Sequence, residues 1–217
     1  MLPVQFWMLL GALAAFLGSI IPVSGRMLDD TAVIAISGMP TPDNNGTLST
    51  IQLPVIHNGG LAVFASTIRL DGVLVGSGIF RGGVAPGSLG FVVREGDPTP
   101  NLDGNFGPFR EPALSVNSTN QVVFPAGVAN ALNPLAAAGL FVSDGTAEGT
   151  GEILRLNQLT PSENGRIAAP FSNAAFNDAG QVAVSTFLAG ATNPPTFAGL
   201  FRGGLSPNSL IEVVNVG

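Results

Sequence analysis

His57 carries the single imidazole of this 217-residue chain, and imidazole is a frequent general base and metal ligand. The chain has no Cys, Tyr or Lys, which excludes thiolate nucleophiles, tyrosine acids and Schiff-base lysines. A histidine that acts as a base or metal ligand needs partner groups, and the chain offers no second histidine. Because Asn117 and Asn177 occupy the matching place in two similar phrases, we interpret His57 as a turn residue.

Two pairs of acidic residues have a spacing that is compatible with chemistry. Glu95 and Asp97 would share one face of a continuous strand, and glycoside hydrolysis uses two carboxylates about 5 to 10 Å apart. Asp144 and Glu148 supply the oxygen ligands that Ca²⁺ prefers. The plainer interpretations are a turn started by Asp97 before Pro98 and an Asp-Gly hairpin turn at Asp144. We therefore predict no catalytic, cofactor-binding or metal-binding residue, and a protein that is not an enzyme.

The composition excludes nucleic acid as a partner and favours β structure. The net charge is −6, charged residues make up only 10% of the chain, and no basic cluster is present to bind phosphates. Hydrophobic residues reach 46%, and 29 Gly with 17 Pro supply many turns between short apolar runs. This combination is typical of all-β proteins, so strands and turns must position any site.

Three phrases recur at a spacing of about 60 residues, which is a signal of repeat architecture. "HNGGLAVFAS", "NSTNQVVFPA" and "NDAGQVAVST" each combine a turn with a β-branched or aromatic run that predicts a strand. "GIFRGG", "GLFVSDG" and "GLFRGG" follow, and then "FVVREGDPTP" and its counterparts. We predict an all-β fold of tandem antiparallel repeats at about residues 39–97, 98–157 and 158–217, with one extra strand near 32–38.

The predicted repeat has the anatomy of a propeller blade, because each copy supplies three or four short strands. Three copies are fewer than the four to eight blades of a closed propeller. We therefore expect a propeller-like arrangement that is partial or open. The unpaired strand near 32–38 would then be a possible site of oligomerisation, since an unpaired edge is a template for another chain.

The stretch from Leu2 to Val23 contains no charged residue and, as a helix, is long enough to cross a bilayer core of about 30 Å. It predicts a hydrophobic N-terminal helix over residues 1–25, followed by a β domain over 26–217. The helix is either a signal peptide cleaved after "PVSG" or a retained single-pass membrane anchor, with a buried core helix as the third interpretation. The first two place the β domain in the periplasm or at the cell surface.

Several phrases resemble known bacterial repeat families. "FNDAGQVAV", "GLFRGG" and "VVREGDPTP" are similar to the NxxGxxAF tandem repeats of bacterial surface proteins that carry variable anchoring signals. "LFVSDGTAEGT" resembles the "LWxxDGTxxGT" phrase of another bacterial β-repeat family. The resemblance covers about residues 30–217 and implies secretion or surface display and a propeller-like fold. It transfers no catalytic residue.

These observations predict a non-catalytic, extracytoplasmic β-repeat protein with a structural or binding role, and a protein or glycan as its partner. Asn45 and Asn117 begin glycosylation sequons, which matter only in a glycosylating host. One alternative is a single-pass accessory subunit of a membrane complex, whose residues 2–23 pack against partner helices through small residues. The other is a glycan-active enzyme based on carboxylates, which requires two acidic side chains that converge in one cleft.

Overall fold

The structure, a computed structural model, describes residues 33–57, 59–109, 113–192, 197–205 and 209–216. The predicted helix over residues 1–25 lies outside these ranges. Residues 33–217 form one compact unit, and its described part is all-β apart from a short 3₁₀ helix at Pro134–Ala136. Within the described ranges, no helix has the length and apolar character needed to cross a bilayer.

The strands form three antiparallel sheets that follow one another along the chain. Sheet 1 contains β1 (Thr47–Ile51), β2 (Val55–Ile56), β3 (Ala62–Leu70), β4 (Val73–Gly82) and β5 (Gly90–Arg94). Sheet 2 contains β6 (Asn105–Phe106), β7 (Ser115–Val116), β8 (Val122–Ala129), β9 (Ala138–Ser143) and β10 (Gly151–Arg155). Sheet 3 contains β11 (Arg166–Phe176), β12 (Val182–Ala189), β13 (Ala198–Gly203) and β14 (Ile211–Val216).

Each sheet is a meander in which the strands along its main path are hydrogen-bonded to one another in chain order. The orders are β1-β3-β4-β5, β6-β8-β9-β10 and β11-β12-β13-β14. The short strands β2 and β7 pair with the same neighbours as β1 and β6, so they continue the first strand of their sheets after a break. The sequence predicts short antiparallel strands in tandem repeats, and this arrangement agrees with that prediction.

Equivalent turns join the first and second strands of the three sheets. The backbone N–H groups of His57, Asn117 and Asn177 donate to the carbonyl four residues later at 3.0, 3.1 and 3.1 Å. The fourth residue of each turn has a positive φ, 79° at Gly60, 63° at Asn120 and 72° at Gly180. Gly and Asn tolerate this left-handed region, which explains why Asn replaces Gly in the second turn.

The apolar residues of the strands pack the three sheets into a stack with a common core between neighbours. One cluster joins Val63, Ile79 and Val93 of sheet 1 to Phe124 and Phe141 of sheet 2. Another joins sheet 2 to sheet 3. Sheet 2 is thus buried on both faces, which accounts for the near-continuous apolar runs in its strands.

The extra strand predicted near residues 32–38 is not a strand in the described residues 33–38. Strand structure needs a paired neighbour, and this segment has no ladder. Instead Ile34, Ala35 and Met39 pack on the outer face of sheet 1 against a cluster that contains Phe64 and Phe80. The segment therefore covers apolar surface, although the oligomerisation assigned to it stays a prediction.

Candidate functional site

A groove of ≈ 380 Å³ lies where sheet 1 meets sheet 2, and it is the candidate functional site. Its walls are β5 of sheet 1 and the turn that joins β9 to β10 in sheet 2, while the connection from β5 to β6 closes one end. The lining residues are Phe91, Val92, Val93, Asp97, Pro98, Thr99, Pro100, Leu102, Phe106, Gly145, Thr146, Ala147 and Thr150. Asp97 is the one ionisable residue among them, so the groove is mainly apolar with a few hydroxyl groups.

A similar groove of ≈ 340 Å³ lies where sheet 2 meets sheet 3. Leu159, Thr160 and Pro161 line it in the same order in which Pro98, Thr99 and Pro100 line the first. In the connections from β5 to β6 and from β10 to β11, Thr99 N–H donates to the Gly104 carbonyl at 3.0 Å and Thr160 N–H to the Gly165 carbonyl at 3.1 Å. The grooves therefore follow from the way in which consecutive sheets are joined.

The turn that forms one wall is fixed by hydrogen bonds within it and to sheet 1. The Asp144 carboxylate accepts from the N–H of Thr146 at 2.9 Å and from its hydroxyl at 2.7 Å. These hydrogen bonds lower the pKa of Asp144 below its usual value. Arg81 of β4 donates to the Asp144 carbonyl at 2.5 Å, and the Ser143 hydroxyl donates to the Val92 carbonyl at 3.2 Å. The wall is thus tied directly to the neighbouring sheet.

A cluster of one arginine and two carboxylates holds the C-terminal end of the connection from β5 to β6. Arg155, at the end of β10, forms ion pairs with Asp103 and, at 3.5 Å, with Glu152. Its guanidinium lies 5.5 Å from the ring centroid of Phe141, which is a cation–π distance. Asn101 donates to Glu152 at 3.0 Å. Only 8% of the Arg155 side chain is exposed, so this cation depends on its carboxylate partners.

The two carboxylates of the cluster are shifted in opposite directions. Burial raises the pKa of Glu152, and the opposing charge of Arg155 does not fully compensate. Burial would also raise the pKa of Asp103, but hydrogen bonds from Arg155 and Thr99 together with the charge of Arg155 lower it overall. Sheet 1 has a more exposed ion pair of the same kind between Arg94 and Asp43.

Glu95 and Asp97, whose spacing is compatible with a carboxylate pair, line two different cavities. β5 ends at Arg94, and Gly96 has a φ of 92°, so the alternation of a strand does not extend through these residues. The Glu95 carboxylate accepts from the Ser77 hydroxyl at 2.7 Å and lies beside a different cavity. Asp97 accepts from the Arg94 N–H at 2.7 Å, and its own N–H donates to the Arg94 carbonyl at 3.1 Å. Asp97 therefore ends this turn, whereas the sequence predicted that it starts one.

His57 lies in the turn position that the sequence assigned to it. Its Nδ1 accepts from the Gly59 N–H at 3.0 Å, as the side-chain oxygens of Asn117 and Asn177 accept from the residue two further along. The exposed carboxylate of Asp178 accepts from the Ser118 N–H at 2.7 Å, which links the second and third of these turns and lowers the pKa of Asp178.

The other candidates also have structural partners. The structure describes no group of three or more His, Cys, Asp or Glu residues that could hold a metal ion, and Asp144 is engaged with Thr146 in its turn. Asn117 is 1% exposed, and its side-chain oxygen accepts three hydrogen bonds within the turn, so this sequon is inaccessible in the folded protein. Asn45 is exposed.

The family model for DUF7453, a family of unknown function, matches residues 24–217. The chain belongs to the DUF7453 family. No curated protein matches this family member. Among solved structures, it is similar to the "Hadza microbial sialidase Hz136", with a TM-score of 0.41 and 13% sequence identity. That similarity covers 81% of the DUF7453 chain and 39% of the sialidase, so the chain spans well under half the length of that protein.

Sequence reasoning did not identify Asp103, Glu152 and Arg155 as a cluster. Asp103 is separated from Arg155 by 52 positions, and the two acids have no spacing that suggests a joint role. One signal was present: charged residues are only 10% of the chain, so an Arg in the apolar strand "GEILR" requires a partner. Ser77 was also missed, although it is 3% exposed and bonds to both Glu95 and the Phe109 N–H.

Proposed function

We propose that this chain is a non-catalytic binding protein that holds an apolar segment of a protein partner in the groove between sheets 1 and 2. The observation that carries the proposal is the character of the groove. Twelve of its thirteen lining residues are not ionisable, and its walls are fixed by hydrogen bonds that cross from one sheet to the next. A preformed and mainly apolar groove with a few polar groups is the usual form of a binding site.

The hydrogen bonds made by the side chains that could act as bases or nucleophiles support a non-catalytic role. His57, Asp97 and Asp144 each accept hydrogen bonds from the backbone of their own turns. Glu95 is held by Ser77, away from Asp97. A general base or nucleophile needs a partner geometry directed at a substrate, and these side chains are directed at their own backbone or at a neighbouring strand.

The wider setting of the proposal is a propeller-like tandem-repeat domain on the extracytoplasmic side of a membrane. Contacts between β2 and β7 and between β7 and β11 support the propeller-like arrangement, because they bring the first strands of consecutive sheets together. The apolar stretch Leu2–Val23 supports secretion or tethering, and equally a role as an accessory subunit of a membrane complex. Intact mass of the protein from native membranes distinguishes a cleaved chain from a retained anchor.

The groove is tested with peptides selected from a random display library on the immobilised protein. Leu102 lines the groove and is 76% exposed, so Leu102→Glu places a charge at the opening with little effect on the core. We expect this change to weaken the selected peptides at least about tenfold, which corresponds to about 1.4 kcal/mol. Leu159→Glu, in the second groove, is the matched control. Peptides that bind the two variants equally well, or a library that yields no binder, would contradict the proposal.

A glycan-active enzyme is the second candidate, because Asp103 and Glu152 meet at Arg155 and have pKa values shifted in opposite directions. A bracing role explains the same contacts, since Ser162 bonds to Glu212 in sheet 3 as Asn101 bonds to Glu152 in sheet 2. Assay of a panel of aryl glycosides decides between them. Hydrolysis that is abolished by Glu152→Gln in a folded protein would establish the enzyme and overturn the binding role.

A further inference from the structure

A further cavity of ≈ 310 Å³ in sheet 1 holds a carboxylate that the proposed function does not use. Glu95 lines this cavity together with Ser77 of β4 and Phe109, which follows β6. The cavity shares no lining residue with the groove between sheets 1 and 2. It is therefore a separate site, and what it binds does not depend on the peptide groove.

A chain of two hydrogen bonds fixes the Glu95 carboxylate in this cavity. The Phe109 N–H donates to the Ser77 hydroxyl at 2.8 Å, and the hydroxyl donates its single hydrogen to Glu95 Oε2 at 2.7 Å. Ser77 is 3% exposed, whereas Glu95 is half-buried. No arginine among the described residues forms an ion pair with Glu95. Because an ionised carboxylate only accepts hydrogen bonds, the cavity offers a negative charge with acceptor positions left over.

The equivalent positions of sheet 2 show that the fold does not require this polar pair. The Glu95 N–H donates to the Ser77 carbonyl at 2.9 Å, and in sheet 2 the Leu156 N–H donates to the Ala138 carbonyl at 2.9 Å. Both pairs lie directly beside the Gly–Arg pair of the third and fourth strands, so they occupy the same register. Sheet 2 thus has an apolar pair where sheet 1 has a serine and a carboxylate.

The apolar alternative packs well where it occurs. Ala138 and Leu156 lie against the core between sheets 2 and 3, and the pair at this position in sheet 3 is Ala198 with Val216. Partial burial of a charge costs free energy that an apolar pair avoids. Departures of this kind from what a fold prefers are expected at functional sites. The Ser77–Glu95 pair therefore indicates a role for the carboxylate beyond packing.

The other walls of the cavity favour a ligand with an apolar stem. Leu74 and Val75 of β4 are 58% and 48% exposed, and Pro108 is also exposed. The carboxylate selects a positively charged donor, and a methylene stem that ends in a cation is the form of an arginine or lysine side chain. The net charge of −6 also attracts basic partners.

We propose that this cavity binds a basic side chain of a protein partner. The guanidinium or ammonium group pairs with Glu95, which Ser77 holds in position, and the methylene stem lies against Leu74 and Val75. The site goes beyond the groove of the proposed function, because it recognises a charged residue at a different surface.

The first experiment is a titration of the ¹⁵N-labelled full chain in a mild detergent, followed by two-dimensional NMR. The probes are the tripeptide Ala-Arg-Ala, acetylated and amidated, and the same peptide with neutral citrulline in place of arginine. We expect saturable shifts of the Ser77 and Phe109 amide signals, with a Kd of about 1–10 mM for the arginine peptide and at least about tenfold weaker binding of the citrulline peptide. Butylguanidinium, which has the stem and cation without a peptide, should bind no more tightly than the arginine peptide.

Variants assign the binding to the cavity. Glu95→Gln keeps the shape of the side chain and removes its charge, so it should weaken the arginine peptide at least about tenfold. Glu95→Leu installs the residue that sheet 2 has at this position, so it should abolish the shifts and leave the Tm unchanged or higher. Asp71→Asn is the matched control, because it removes the same charge from the exposed β3–β4 turn outside the cavity, and the affinity should stay within about twofold.

Arg110 follows Phe109 and lies outside the described residues, so it is tested as a competing occupant from this chain. Arg110→Gln should leave the affinity unchanged, and tighter binding by this variant would identify Arg110 as the occupant and overturn the proposal. Equal binding of the citrulline peptide, tighter binding of butylguanidinium, unchanged binding by Glu95→Gln, or no saturable shift up to about 100 mM peptide would also overturn it. Thermal unfolding of each variant excludes loss of folding as the cause. Failure here leaves the groove untouched, since Leu102 does not line this cavity.

Discussion

Replacement of Asp103 by Asn should destabilise the protein by about 2 kcal/mol at neutral pH, because it removes the carboxylate that holds a buried arginine. Only 8% of the Arg155 side chain is exposed, and its Nη1 has no hydrogen-bond partner among the described residues. After the change, the guanidinium keeps Glu152 at 3.5 Å, whose own pKa is raised by burial. A hydrogen bond between charged groups contributes about 1.5–3 kcal/mol, and we take about 2 because Asp103 is 25% exposed.

The matched control is Asp43→Asn, because Asp43 and Arg94 form the same kind of ion pair at a more solvent-exposed position. Asp43 and Arg94 are 35% and 26% exposed, so their ion pair should contribute less than about 1 kcal/mol. For a chain of this length, each kcal/mol shifts the Tm by about 2–4 °C. Differential scanning calorimetry should therefore show a loss of about 4–8 °C for Asp103→Asn and a clearly smaller loss for Asp43→Asn.

The pH dependence gives this prediction a second test. The pKa of Asp103 is lowered in the folded state, so its contribution is complete above the unfolded pKa of about 3.9 and is lost as the pH falls through the folded value. The difference between the wild type and Asp103→Asn should be constant from pH 7 to pH 5 and should shrink below pH 4. Equal losses in the two variants, or a difference that grows in acid, would refute the reasoning.

Three further changes test other parts of the structure. Glu152→Gln should leave stability at pH 7 unchanged or raise it by up to about 1 kcal/mol, because burial raises the pKa of Glu152; any gain should disappear in acid, where the wild-type carboxyl is protonated in both states. Chemical denaturation at pH 7 and pH 4 measures it. His57→Asn should keep or slightly raise the Tm, since Asn already fills this position in the other two turns; a large loss would contradict the turn role. Gly104→Ala should cost at least about 2 kcal/mol in the same assay, because a Cβ there would lie 2.6 Å from Val128 Cγ1, whereas Gly90→Ala has open space and should be tolerated.

The strands and turns could be predicted from the sequence because they depend on local chemistry. The Asn117 and Asn177 turns close through their own side chains, and the strands that follow are runs of residues with high β propensity. The preferred interpretation of Asp97, a turn residue rather than one of a catalytic pair, needs no continuous strand, and Gly96 with its positive φ interrupts the strand between Glu95 and Asp97. Local reasoning failed for residues 33–38, where the apolar residues pack on a sheet instead of pairing with a strand.

The groove and the arginine cluster could not be predicted, because they depend on how neighbouring sheets stack. Arg81 and the Asp144 carbonyl are 63 positions apart, and their contact exists only when sheet 1 lies on sheet 2. The lining of the groove likewise comes from two sheets and from the connection between them. A periodic sequence predicts that equivalent strands exist, but it does not specify which face of each strand meets the next sheet.

The low charge content of the chain has a structural cause that links these observations. A sheet that packs on both faces needs apolar residues at successive positions, which leaves few places for charge, and sheet 2 follows this pattern with Val122, Val123 and Phe124 all buried. Sheet 3 keeps the pattern at Leu200 and Phe201, of which Phe201 is buried whereas Leu200 is 37% exposed. A sheet designed to face water would alternate apolar and polar residues, as antiparallel sheets commonly do. The exposed Leu200 and Val214 on the outward face of sheet 3 therefore depart from the alternation that a sheet facing water would have.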